Sequence, residues 1–379
     1  MRSSSPDHLL HRSFHTSSRS APRLSRVAVP ILLALAALSA ASPLYAATAA
    51  TTTDAQPSVQ AVMDAMSRAN NAVVGIKVTA TEGAKSAESL GAERVGSGVV
   101  IDQNGLVLTI GYLMLEAQQI EIVTEDGKSW PATAVGYDSA TGFGLIRPLL
   151  PLRGIAPVTL GSLQDLRPGE ALMAVTGATD DDELDVSMTQ LVDKRPFSGT
   201  WEYHIDAAIF TSPPVTAGRG NHSGAPLFNQ RGELVGIGSL LLSDTSGPIP
   251  GAEKPKPGNM FVPVDLLKPI LAEMRQSGST RQSHRPWLGV TSADRGGQVQ
   301  IMRVSEDSPA SSAGLVPGQV VLAIDGAAVN TLEGFYKKLW ARETADTPVK
   351  LTVREGSEVK TVELQPQDRT TTFKKPQGI

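Results

Sequence analysis

The strongest constraint on this chain is the rhythm of its middle section. Short β-branched runs (AVVGIKVTA, GSGVVID, GLVLTI, QIEIV, ELVGIGSLLL, NMFVPV) follow one another, punctuated by Gly, Asp-Gly or Asn-Gly. Many short strands separated by turn signals at close spacing point to an all-β barrel or sandwich. Aromatic residues make up only 4% of the sequence, so the core is to be built from Val, Leu, Ile, Ala and Met. A length of 379 residues leaves room for two or three domains.

Helical periodicity is confined to the edges of this region. Val59, Val62, Met63 and Met66 recur at helical spacing behind a candidate cap at Ser58. Val264–Gln276 reads as a closing helix that Pro269 kinks or interrupts. The acidic run at residues 180–185 and the Pro/Gly-rich stretch at 243–258 read as solvated loops, with chelation of a hard cation as the alternative for the first. Residues 277–283 read as a polar linker, after which a smaller β-rich unit (284–367) begins near His284. Its expected strands are Gln298–Val304, Val320–Ile324, Val349–Arg354 and Val359–Leu364, with helix-like stretches at Ser308–Gly314 and Leu332–Arg342. A polar tail covers 368–379.

The first 46 residues differ in kind. Five arginines and one acid precede an apolar stretch at 27–44, and Leu44-Tyr45-Ala46 offers a small residue before Ala47. This is the pattern of a secretory signal peptide, followed by a small polar linker at 47–57. An uncleaved membrane anchor at 27–44, a transit peptide and a start codon assigned too far upstream are the competing readings. With five of the 34 basic and one of the 38 acidic residues in this head, the remainder carries 29 against 37, a net charge of −8. That balance argues against nucleic acid as a partner. The absence of cysteine excludes a disulfide scaffold, a Cys-based zinc site and a Cys nucleophile.

Several segments together carry a resemblance: Gly96-Ser97-Gly98-Val99-Val100-Ile101-Asp102, Asp206-Ala207-Ala208-Ile209, Ser223-Gly224-Ala225-Pro226-Leu227-Phe228-Asn229, Gly232-Glu233-Leu234-Val235-Gly236-Ile237 and Phe261-Val262-Pro263. In this order the chain resembles the HtrA/Deg family of trypsin-like serine proteases with one PDZ domain, over residues 58–366. The resemblance implies two six-stranded β-barrels over 58–276, a His-Asp-Ser triad in their cleft, and no cofactor or metal. Ser223 stands at the nucleophile position. Where the family has a Thr-Asn-Asn-His pattern this chain reads Thr109-Ile110-Gly111-Tyr112, and where it has the catalytic aspartate this chain has Gly142. Asp138 matches a turn aspartate, not the catalytic one. Past the leader no histidine precedes His204, so the first barrel offers no imidazole base. A phenol, with a reference pKa near 10, is a poor substitute. The segment from Phe210 to His222 is also longer than the family's oxyanion loop.

Trp287-Leu288-Gly289-Val290 resembles the carboxylate-binding loop and following strand of a PDZ domain. The chemistry it implies is strand addition, with a peptide's C-terminal carboxylate caught by loop N–H groups. Leu332, Phe335 and Tyr336 are the candidates for the opposite wall, and Leu339 for the module's own core. The reading that follows is an exported, periplasmic, catalytically inactive protease homologue that binds unfolded or C-terminal segments in envelope protein quality control and serves an active protease of the same family. One alternative keeps Ser223 as the nucleophile of an active endopeptidase with a non-standard base such as His222, His204 or a lysine. Another is a purely structural role. A homo-oligomer is possible, although no Phe, Trp or Tyr occurs between Ala47 and Gly111 to build the aromatic N-terminal contact that family trimers use.

Overall fold

The structure is a computed structural model and describes residues 59–179, 183–215, 222–247, 254–342 and 344–374. The leader, the 27–44 stretch, the 47–57 linker and the Ser58 cap lie outside the described residues, as do the first half of the acidic run and residues 216–221 of the lengthened loop before Ser223. Helix α1 (Val59–Asn70) opens the described chain and buries Val62, Ala65, Met66 and Ala69. Val59, at its first position, stays 51% exposed.

Among the described residues two closed six-stranded barrels follow. The first comprises β1 (Val73–Ala80), β2 (Glu93–Val100), β3 (Val107–Ile110), β4 (Ala117–Val123), β5 (Ser129–Tyr137) and β6 (Phe143–Pro148), closed in the order β1-β2-β3-β6-β5-β4, with a one-turn helix α2 (Ala87–Leu90) between β1 and β2. The second comprises β7 (Ala171–Thr176), β8 (Asp185–Gly199), β9 (Tyr203–Ser212), β10 (Pro226–Phe228), β11 (Leu234–Leu242) and β12 (Gly258–Pro263), closed as β10-β11-β12-β9-β8-β7. Period-two patterning explains the strands: on β1, Val74, Ile76 and Val78 are buried on one face, while Lys77 and Thr79 on the other are partly exposed.

The barrels meet backbone to backbone. A Cβ at Gly75 on β1 would lie 1.7 Å from the Ala178 carbonyl oxygen, and one at Gly177 would lie 2.2 Å from that of Val74. The Gly177 amide donates to Ser97 Oγ at 2.9 Å, and the Ser97 amide donates to the Ser223 carbonyl at 2.8 Å. Close approach here requires residues without side chains.

The expected closing helix is divided. Residues Val264–Leu266 form a 3₁₀ turn and α3 runs only from Leu271 to Ser277, because Pro269 between them lacks the N–H that a continuous helix needs. The segment read as a polar linker is also more structured than its composition suggests. Thr280 is 3% exposed and Ser283 is 1% exposed, and Arg281–His284 forms a second 3₁₀ turn.

The C-terminal module contains β13 (Pro286–Trp287), β14 (Val290–Arg295), β15 (Gln298–Val304), α4 (Pro309–Ser312), β16 (Val320–Ile324), β17 (Ala327–Ala328), α5 (Leu332–Trp340), β18 (Val349–Glu355), β19 (Glu358–Leu364) and β20 (Gln367–Asp368). Its sheet runs β14-β15-β16-β18-β19, with β17 beside β16. The tail is not free from its first residue: β20 pairs with β13, and a 3₁₀ turn at Arg369–Thr372 follows.

Candidate active site

Tyr112 sits on the 3₁₀ turn Gly111–Met114 that β3 runs into. The turn is held from below by Arg94 on β2, whose buried guanidinium donates to the carbonyls of Gly91, Tyr112, Leu113 and Leu115 and to Ser86 Oγ. Burial lowers the pKa of Arg94, partly offset by the charge of Glu116. Gly111 donates its amide to the Gly142 carbonyl at 2.7 Å, which sets the Tyr112 turn against the position expected for a catalytic carboxylate. Tyr112, Gly142 and Ser223 are therefore neighbours across the junction of the barrels.

Tyr112 Oη lies 2.7 Å from Ser223 Oγ and 2.9 Å from the Ser239 carbonyl oxygen on β11. A phenol carries one hydrogen and a carbonyl can only accept, so the phenol donates to Ser239 and the serine hydroxyl donates to the phenol oxygen. Ser223 thus gives its hydrogen to a neutral, weakly basic oxygen. Burial pushes the Tyr112 pKa up to about 12, with the Ser223 hydrogen bond opposing the rise. At neutral pH that leaves about one phenolate in 10⁵.

The place of the carboxylate is closed in a different way. Gly142 adopts φ +87°, a left-handed conformation that disfavours any side chain, and Tyr203 Oη borders the space beside it while donating to the Thr141 carbonyl at 2.6 Å. Asp138, the turn aspartate, is 1% exposed and fully engaged. It accepts from the Thr141 amide, Thr141 Oγ1, Thr280 Oγ1 and Ser283 Oγ.

His204 offers no base to this centre. Its two ring nitrogens face Ser198 Oγ at 2.9 Å and Asp206 Oδ1 at 3.2 Å. His284 Nδ1 pairs with Asp368 at 2.7 Å. His204, Asp206 and Glu333 come together, yet Lys337 Nζ lies 2.9 Å from Asp206 and 2.8 Å from Glu333, so an ammonium already answers those carboxylates.

Four tyrosines, the buried Tyr203 and Tyr336 and the partly buried Tyr112 and Tyr137, have pKa values raised by desolvation. Below pH ~10 both folded and unfolded states keep these protons; above it the unfolded phenols ionise first, so the stability they carry is lost as pH rises above about 10, for Tyr112 up to about 12 and for the others from the same lower limit. The expected alkaline titration shows little phenolate absorbance from these four until circular dichroism reports unfolding. Ordinary titration near pH 10 with the fold intact would contradict this burial.

The expected groove residues divide in the C-terminal module. Leu288, Val290, Leu332, Phe335, Tyr336 and Leu339 are all buried in one core cluster. Leu332 and Phe335 therefore pack inward with Leu339, while Tyr336 also reaches outward through its hydroxyl to the Gly199 carbonyl at 2.8 Å. Trp287 pairs through its backbone with Gln367, and Gly289 adopts φ +87°. Sequence reasoning passed over Arg94, Ser239 and Glu202. Two of these act on backbone groups of remote segments, and the Ser239 carbonyl leaves no trace in residue type.

Two barrels carrying a serine where they meet, followed by a strand-and-helix module with a Trp-Leu-Gly-Val loop, define a trypsin-like peptidase fold joined to a PDZ domain. The trypsin-like peptidase domain pattern matches residues 96–237, and the PDZ domain pattern matches residues 286–365. A protein of Halomonas elongata named as a DegP-like periplasmic serine endoprotease is 27% identical over 71% of this chain and 55% of its own length. One of Synechocystis named as the serine protease HhoB is 26% identical over 72% of this chain and 66% of its own. The chain thus spans about half to two thirds of the length of these curated relatives. Solved structures of a serine-to-alanine variant of the HtrA-type protease AlgW with a tripeptide and of AlgW with a decapeptide superpose with TM-scores of 0.51 and 0.50, covering 83% of this chain and 98% and 99% of theirs at 21% and 20% identity. The chain thus carries a trypsin-like peptidase domain followed by one PDZ domain, and the relatives it matches are named as DegP-like and related serine proteases.

Proposed function

We propose that this chain is an exported, catalytically inactive member of the HtrA/Deg family, which binds unfolded or C-terminal polypeptide segments through its PDZ domain in envelope protein quality control. The observation that carries the reading is the Ser223–Tyr112–Ser239 hydrogen-bond chain. Acyl transfer needs a base that takes the serine proton and a carboxylate that orients that base. Here the group receiving the serine hydrogen is a phenol held neutral, and a left-handed glycine stands where the carboxylate is expected. Losing one triad member typically costs about 10⁴ in rate, and here both partners of the serine differ.

Export to the periplasm is supported by the names of relatives and by the leader pattern; retention of 27–44 as an anchor is the alternative. Among the described residues no helix is long and apolar enough to cross a membrane. A natural partner is an active protease of the same family, to which bound segments would be presented.

The test is cleavage of casein by the purified chain beside its Ser223→Ala variant. Both are expected to leave casein intact under conditions in which an active relative digests it. Cleavage by the parent and not by the variant would overturn the reading in favour of an endopeptidase with a non-standard base.

A further inference from the structure

The tip of the β8–β9 hairpin lies in the PDZ groove. β8 is 15 residues long, and its turn, Gly199–Glu202, reaches the loop that precedes β14. There the Glu202 carboxylate accepts three backbone amides: Leu288 N to Oε2 at 2.9 Å, and Gly289 N and Val290 N to Oε1 at 2.7 and 2.9 Å. Two residues earlier, the Thr200 carbonyl accepts the Ser292 amide of β14 at 2.8 Å. From the α5 side, Tyr336 Oη donates to the Gly199 carbonyl at 2.8 Å and accepts the Glu202 amide at 3.2 Å. Lys337 on α5 also pairs with Asp206 on β9.

These contacts reproduce, within one chain, both parts of PDZ recognition: a carboxylate in the amide nest and a backbone bond along the strand edge. Glu202 is 5% exposed and holds φ +57°, a conformation that glycine adopts more readily than glutamate. The hairpin tip accepts a strained backbone while it delivers a carboxylate into a buried nest. The three amides favour the ionised carboxylate, whereas burial disfavours it.

We propose that Glu202 is the resident ligand of this chain's own PDZ groove, so that a peptide C-terminus binds only by displacing the β8–β9 tip. The proposal rests on the reading of the groove as a receptor for C-termini, and adds how access to it is controlled. An occupant fixed in the same chain lowers the apparent affinity for a free peptide by the fraction of time the groove is open. The arriving ligand is a flexible polypeptide with a free terminal carboxylate. An internal acidic segment without a free end meets the same amides only by copying the hairpin.

The decisive variant is Glu202→Gly, which removes the carboxylate and suits the left-handed backbone; Glu202→Gln serves as a second, near-isosteric variant. Two measurements are made on the full chain. In hydrogen exchange, the amides of Leu288–Val290 and Ser292 are expected to exchange at least ~10-fold faster in Glu202→Gly than in the parent. In fluorescence anisotropy, the probe is a pool of labelled decapeptides whose last three residues are drawn from Ala, Val, Leu, Ile and Phe, as free acids and as amides. The free acids are expected to bind Glu202→Gly at least ~10-fold more tightly than the parent, with the amides unaffected. Glu202→Gln is expected to change both readouts in the same direction and by less.

Unchanged exchange overturns the proposal, since Glu202 would then not guard the nest. Faster exchange with equal acid affinity in parent and variant also overturns it, because displacement would not be required. Faster exchange with no binding of either pool by either protein leaves the docked carboxylate standing and defeats the C-terminus reading of the groove.

Discussion

Replacing Asp138 with alanine is expected to destabilise the folded chain by about 3–5 kcal/mol. This buried carboxylate accepts two hydrogen bonds from Thr141 in its own turn and two more from Thr280 and Ser283, which lie on the far side of α3 in sequence. Removing it leaves hydroxyl and amide donors in an interior that water does not reach. Arg285 is half-buried close by with its pKa lowered to about 10 by desolvation, and the Asp138 charge is the largest of those offsetting that penalty. Asp138→Ala therefore strands four donors and removes the main charge that compensates Arg285. Asp138→Asn keeps shape and half the acceptor capacity, because hydroxyls can rotate to meet the new amide, and is expected to cost about half as much. Thermal denaturation separates the two, with a midpoint drop of roughly 10 °C for alanine. A loss under ~1 kcal/mol for alanine would mean that the anchor contributes little.

Gly75→Ala is the second large expected effect. Its methyl group would be placed 1.7 Å from the Ala178 carbonyl oxygen and 2.9 Å from the carbonyl carbon, both backbone atoms that no rotamer change can move. Either β1 or the 177–178 segment must shift, and with it the Ser97 contacts that join the barrels and support the Ser223 carbonyl. A loss of ~3 kcal/mol or more is expected, measured by urea denaturation. Gly127→Ala provides the contrast: it meets nothing within 4 Å but carries φ +76°, so only backbone strain of about 1 kcal/mol is added. Similar losses for the two variants would show that conformational strain, not barrel contact, governs Gly75.

The parts of this molecule legible in the sequence are those with a local cause. β15 and β16 run over Gln298–Val304 and Val320–Ile324 as the apolar runs and flanking turn residues suggest. On β18, buried Val349, Leu351 and Val353 alternate with more exposed residues, the signature of a half-buried strand. The meeting of Tyr112 with Ser223 was accessible through motif order, because it rests on family topology. Its bond to Ser239 was not, since a carbonyl acceptor depends on the register of β11 and carries no residue signature. Residues 277–283 show another limit. Ser and Thr read as solvated linker by composition, yet in the fold their hydroxyls are the donors that satisfy a buried carboxylate. Glu202 is the extreme case: nothing near it in sequence marks it, because its partners lie more than eighty residues away.

The chain enters and leaves the PDZ module at the same place. Thr280 and Ser283 fasten its approach to Asp138, β13 and β20 lie side by side, and the Lys374 amide donates to Glu116 at 2.8 Å back on the first barrel. A module tied at one end is a pendulum; tied at both ends, side by side, it is a bracket. Rotation of the module away from the barrels has to break both the Asp138 and the Glu116 fastenings. Glu116 also accepts the Ser86 amide, Ser86 Oγ accepts from Arg94, and Arg94 donates to the Tyr112 carbonyl, so one continuous run of hydrogen bonds joins the last described residue of the chain to the Tyr112 turn.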